Sequence, residues 1–138
     1  MAPDQGFKPD AWIQRSQQLV RNTGDHPLNA ELRMDDLLRN EFTPSALHYV
    51  RNHGDVPQLS WDEHKLELLG MPSDNEKQQK LTVTMQELVE TLPSVEIPLT
   101  FACDGNRRKE VNVKQRSQGF DWGPTAVSTS TYKGKTHC

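Results

Sequence analysis

Val95, Ile97, Leu99 and Phe101 fall on alternate positions. That period-2 run predicts a strand, and it delivers Cys103 at its end. His64–Leu69, Lys80–Thr84 and Ala126–Tyr132 also read as strands, by alternation or by Val, Thr and Ser content. Ala46–Arg51 is compatible with a further one. Helical spacing is rarer. Asp10 is placed to cap a helix reaching Asn22, with Trp12, Ile13, Leu19 and Val20 on one face. Residues 30–40 hold a second short helical pattern through Leu32, Leu37 and Leu38. Thr84 and Glu87 match a capping box, which opens a helix carrying Leu88, Val89 and Leu92, and Pro93 ends it. Turn chemistry fills Thr23–Pro27, Asn52–Pro57 and Gly119–Pro124. Helices and strands mix without a βαβ rhythm, so the expected class is α+β. The pattern separates a tail and helix over 1–22 from the rest of the chain, 23–138.

Composition sharpens that picture. Only 33% of the 138 residues are apolar, low against the ~45–50% of ordinary domains with Gly counted. Nine prolines and eight glycines add a loop-rich character. A core this lean asks for completion by a cofactor, a partner or more polypeptide. Net charge is −3, which gives no overall attraction to nucleic acid or acidic membranes. The N-terminus has no apolar run of signal-peptide length, and no stretch approaches a membrane span. Cys103 and Cys138 lie far apart and suggest no disulfide framework. A cytoplasmic setting without nucleic-acid or membrane partners is expected.

Candidate chemistry concentrates at Cys103-Asp104-Gly105-Asn106-Arg107-Arg108-Lys109-Glu110. A thiol sits where a strand ends. Gly105 lets backbone approach a ligand closely. Arg107 and Arg108 offer forked donors to an oxyanion or phosphate. Neighbouring positive charge favours the thiolate, the form that binds metal. His53, His64 and Cys103 lack zinc-finger spacing. The basic run 107–116 lacks the interleaved aromatics of an RNA surface.

The segment 103–110 resembles the Cys-Ala-Gly-Asn-Arg-Arg signature of the sulfite oxidase and nitrate reductase family of molybdenum-cofactor oxidoreductases. Tyr49-Val50-Arg51-Asn52-His53 is similar to that family's Arg-Asn-His loop. Gly119-Phe120-Asp121-Trp122-Gly123 and 127–134 resemble the blocks after the cysteine. The blocks occur in the family's order, across roughly residues 23–134. The resemblance implies a mixed, loop-rich, sulfite-oxidase-like molybdopterin-binding fold, here apparently truncated. It implies Cys103 as the protein ligand to molybdenum. It implies Tyr49, Val50, Arg51, Asn52 and His53 at the pterin, and Arg51, Arg108 and Trp122 at an anionic substrate, nitrate or sulfite. Thr23–Glu31 and Arg108–Asn112 lean toward the nitrate reductase branch, whose reaction is oxygen-atom removal from nitrate to give nitrite.

Two departures stand out. Asp104 replaces the usual alanine, and Val111 stands where glutamine is usual. The family's domain also runs on past the point where these residues stop, with further pterin contacts and a dimerisation domain. Haem and FAD would sit on other domains, and the full-length family implies a homodimer. The alternative expectation is an inactive fragment or binding module of this family, or a sulfite oxidase-like enzyme.

Overall fold

The computed structural model describes residues 12–23, 26–70 and 79–136. The chain folds as two compact units, Met1–Val56 with Pro98–Thr131, and Pro57–Ile97 with Tyr132–Cys138.

The first unit is built on a three-stranded antiparallel sheet. Strand β1 is Val20–Arg21, β2 is Asn29–Glu31 and β3 is Val50–Arg51, with β2 in the middle. Val20 faces Glu31 across the first pair, and Asn29 faces Arg51 across the second. All of β2 is buried, together with the flanking Leu28 and Leu32. The other buried apolar side chains are Trp122 and Ala126. Polar side chains share this interior: Asn29, Glu31, Thr43, Thr125, Ser128 and Ser130 are also buried. Interior polar groups at this density must be paired to be tolerated. Thr43 shows the pattern: its hydroxyl accepts from the Thr129 amide at 3.2 Å, and its carbonyl accepts from the Ser130 hydroxyl at 2.7 Å.

The second unit carries a hairpin and a helix. Strands β4 (Lys65–Leu69) and β5 (Lys80–Thr84) pair antiparallel, Leu66 opposite Val83. Helix α2 (Met85–Thr91) follows directly and opens with the capping box. The Thr84 hydroxyl accepts from the Glu87 amide at 3.1 Å, and the Glu87 carboxylate accepts from the Thr84 amide at 2.9 Å. Lys135 closes the other end, donating to the carbonyls of Val89 and Leu92.

Strands β6 (Ser94–Ala102) and β7 (Val127–Lys135) pair as a two-stranded sheet, and each has residues in both units. Short helices together with three small sheets, antiparallel in β1–β3 and in β4–β5, make an α+β arrangement.

Three local expectations change. The helix expected over 10–22 is absent where the chain is described: residues 12–19 are irregular and Val20–Arg21 is a strand. Antiparallel pairing of Val20 and Arg21 with β2 takes the end of that segment into the sheet. The helical pattern of 30–40 shrinks to a single turn, α1 at Met34–Leu37, because residues 29–31 are taken into the sheet. The strand expected over 46–51 is a 3-10 turn at Ser45–Leu47 followed by two strand residues.

Candidate functional site

Every residue that the motifs assign to a metal, pterin or anion lies in the first unit. Cys103 follows β6, as the alternation predicts, and is half-buried with a free thiol. Its amide donates to the Ala126 carbonyl at 2.9 Å. The Ala126 amide donates in return to Asn106 Oδ1 at 3.1 Å. The cysteine loop is thereby clamped to the start of β7 from both sides.

Beyond it the chain makes a sharp turn. Arg107 has a left-handed backbone, φ 65°, which for a residue with a side chain costs on the order of 1–3 kcal/mol unless its surroundings enforce it. Here they do. The Arg107 amide donates to the Gly123 carbonyl at 2.9 Å and the Lys109 amide to the Trp122 carbonyl at 3.0 Å. The exposed Arg107 guanidinium binds Glu110 through Nε and Nη2 at 2.9 and 2.7 Å. That pairing raises the Arg107 pKa above its usual value.

Arg108 opens the one-turn helix α3 (Arg108–Val111) and turns its side chain into a slot. Its Nη1 donates to the Phe120 carbonyl at 3.1 Å. A Cβ at Gly105 would stand 2.7 Å from Arg108 Nη1 and 3.1 Å from Trp122 Cδ1. A Cβ at Gly119, whose φ is 116°, would stand 2.9 Å from Arg108 Cζ. Two glycines therefore make the room that one guanidinium fills.

Trp122 is fully buried, 0% exposed. Its ring meets Phe120 and Tyr49 edge-on, with centroids 4.9 and 6.2 Å apart. Among the described residues its Nε1 has no hydrogen-bond partner. An unsatisfied buried donor costs about 1–3 kcal/mol. The contact with Tyr49 joins the tryptophan block to the 49–53 segment. The Tyr49 amide also donates to Ser128 Oγ at 3.1 Å.

Arg51 is committed to local acceptors. Its Nη1 donates to Asn29 Oδ1 at 3.2 Å and to the Asn52 carbonyl, and its Nη2 lies 2.5 Å from His53 Nε2. Val50 and Asn52 line a cavity of about 560 Å³. His53 itself is exposed.

Sequence reasoning missed the residues that hold these segments. Asn29 serves Arg51. Glu31 serves the tryptophan block: Oε1 accepts from the Gly123 amide at 3.0 Å and from Asn22 Nδ2 at 2.7 Å, and Oε2 accepts from the Thr125 hydroxyl at 3.0 Å. Asn29 and Glu31 are two apart on one strand, so both side chains project from the same face of β2. Polar residues next to Leu28, Ala30 and Leu32 carry no sequence signal of burial; the Asn-x-Glu spacing inside an apolar stretch was the available clue.

Residues 53–137 match the family described as oxidoreductase molybdopterin binding domain. The chain belongs to this molybdopterin-binding oxidoreductase family. The matched range takes in His53, Cys103, Arg108 and Trp122, while Tyr49–Asn52 precede it. The chain is also 47% identical over 134 residues to nitrate reductase (NADH) 1 of Oryza sativa subsp. japonica, covering 96% of this chain and 14% of that relative. It is 47% identical over 127 residues to the nitrate reductase (NADH) of Volvox carteri, covering 91% of this chain and 14% of the relative. Nitrate reductase (NADH) 1 of Arabidopsis thaliana is 46% identical over 126 residues, 91% of this chain and 13% of its own length. The chain thus spans about one seventh of the curated relatives it matches. Among the described residues of this family member, no group of three or more His, Cys, Asp or Glu is placed to hold a metal ion.

Proposed function

We propose that this chain is part of the molybdopterin-binding domain of a nitrate reductase, in a sulfite-oxidase-like fold, acting in the cytoplasm and as a homodimer in its full-length form. The observation that carries the reading is the packing of the cysteine loop against the tryptophan block, Arg107 and Lys109 amides on Gly123 and Trp122 carbonyls, in a chain about 47% identical to nitrate reductases.

The residues fit the cofactor on two counts. Cys103 is a half-buried free thiol at a strand end, suited to give one sulfur to a metal whose other ligands come from the cofactor. Trp122 Nε1 is a buried donor lacking an acceptor among the described residues, which an anionic group would satisfy. In this reading Cys103 holds molybdenum, and Tyr49, Val50, Arg51, Asn52 and His53 hold the pterin. The bound cofactor supplies the two-electron redox chemistry. Nitrate takes up two electrons and two protons and leaves as nitrite and water, the electrons coming from NADH through haem and flavin groups outside this chain. The protein's part is to hold the anion. Arg108 presents a guanidinium fixed by its glycine slot and by the Phe120 carbonyl. Arg51 adds positive charge at the same anion, and Trp122 walls it. A donor fixed before reaction costs no reorganisation as charge develops on the departing oxygen, and its removal typically raises the barrier by about 2.7–4 kcal/mol.

The test is molybdenum and pterin content after anaerobic purification from a host that makes the cofactor. Wild type is expected to carry both, and Cys103→Ala to lose the metal with an unchanged circular dichroism spectrum. Equal molybdenum in the two proteins overturns the ligand assignment. No molybdenum in either favours an inactive fragment.

A further inference from the structure

Asn29 lies in the Thr23–Glu31 block and has no role at metal, pterin or anion assigned to it, yet it is 1% exposed and makes contacts with all its polar atoms. Its Oδ1 accepts from two donors, Arg51 Nη1 at 3.2 Å and the Asn52 amide at 3.0 Å. Its Nδ2 donates to the Pro27 carbonyl at 3.3 Å. Its own amide donates to Thr23 Oγ1 at 3.2 Å, and its carbonyl accepts from the Asn22 amide at 2.9 Å. The backbone bonds fix the residue and the side-chain amide fixes its rotamer. One oxygen is then left to fix a cationic side chain and the next backbone amide together.

We propose that Asn29 is a positioning residue that sets the Arg51 guanidinium and the Asn52 backbone in one orientation before any ligand arrives. Arg51 is a long side chain with large rotamer freedom, and ordering it at the moment of binding would weaken the binding by that entropy. Asn29 removes the freedom in advance. The same oxygen holds the Arg51 side chain and the Asn52 amide, so one residue sets the place of both. The role of Arg51 toward the anion rests on the function proposed above; its orientation by Asn29 does not.

Asn29→Asp keeps an acceptor oxygen toward Arg51 and Asn52 and pairs its charge with Arg51, while its second oxygen faces the Pro27 carbonyl where Nδ2 had donated. Asn29→Ala loses both the acceptor and the donor. In the 15N-labelled chain without cofactor, Asn29→Ala should shift the Arg51 Nε–H signal and strip hydrogen-exchange protection from the Asn52 amide. The Gly123 amide, held by Glu31 from the same strand, should keep its protection. Asn29→Asp should restore both Asn52 and Arg51. In the loaded chain, Asn29→Ala should raise the KM for nitrate about tenfold, the size of one hydrogen bond to a charged group, with kcat and molybdenum content held. In an Arg51→Ala background it should add nothing further. Loss of Asn52 and Gly123 protection together, or additivity with Arg51→Ala, overturns the proposal. Absence of molybdenum from wild type counts against the function reading alone, and the Arg51 and Asn52 signals then decide the positioning role.

Discussion

The Gly123 amide donates to Glu31 Oε1 at 3.0 Å, and a Cβ on Gly123 would stand 2.8 Å from that same oxygen. The hydrogen bond and the absence of a side chain are one requirement. Backbone must approach the buried carboxylate closely enough to bond, and only glycine allows it here. This contact holds Trp122, the neighbouring residue, in the interior.

Gly123→Ala is therefore expected to push the tryptophan block off β2 and destabilise the first unit by about 1–3 kcal/mol, the usual cost of overpacking. Glu31→Gln keeps the shape and the acceptor toward Gly123, and its Nε2 can donate to Thr125 Oγ1, whose own proton goes to the Leu32 carbonyl, so it should cost less than Gly123→Ala. Urea unfolding followed by Trp fluorescence measures both. A midpoint unchanged in Gly123→Ala would show that this contact carries no stability.

Trp122→Phe separates packing from hydrogen bonding. The phenyl ring retains the edge-on contacts with Phe120 and Tyr49 and discards the unpartnered N–H. Without cofactor, the variant should unfold within about 1 kcal/mol of wild type, since the lost packing is offset by relief of an unsatisfied donor. With cofactor, its KM for nitrate should rise. An unchanged KM would mean the indole N–H meets no ligand.

Arg108→Lys tests the slot. Lysine keeps the charge but lacks the planar fork that fits between Gly105 and Gly119. Nitrate turnover should fall by at least tenfold, on the order of 1.4 kcal/mol or more in barrier, while molybdenum content is kept. Full activity in this variant would remove Arg108 from the reaction.

A pH effect is expected at helix α2. Hydrogen bonds from the Thr84 amide and hydroxyl hold the Glu87 carboxyl below its ordinary pKa. A lowered folded pKa means the unfolded chain binds the proton more readily. The capping contribution is thus fully present above the ordinary glutamate pKa and is lost as pH falls through the lower folded value. A carbon-13 titration of Glu87 should show a midpoint below that of exposed glutamates, and Thr84→Ala, which removes the hydroxyl donor and keeps the backbone amide, should raise it part of the way toward theirs. A normal midpoint in wild type would count against the cap in solution.

Much of the site was legible because its elements are local. The strand carrying Val95 to Phe101 and the capping box at Thr84 both form as their spacing dictates. Cys103, Arg108 and Trp122 stood out by residue type and by motif. The helix expected over 10–22 fails in its described part for the opposite reason. Its apolar spacing is real, but strand pairing with β2 decides the conformation of Val20 and Arg21, and no window of neighbouring residues contains that partner.

The family, the order of the motifs and the chemical identity of the thiol and the guanidinium groups can be read along the chain, since each is carried by contiguous residues. That Asn29 and Glu31 are interior, and that one serves Arg51 while the other serves Gly123, emerges from the packed fold. Such contacts join residues 22 and 92 positions apart. A polar side chain becomes a buried tie only when folding brings its partner and excludes water. Its own composition is the same in either setting.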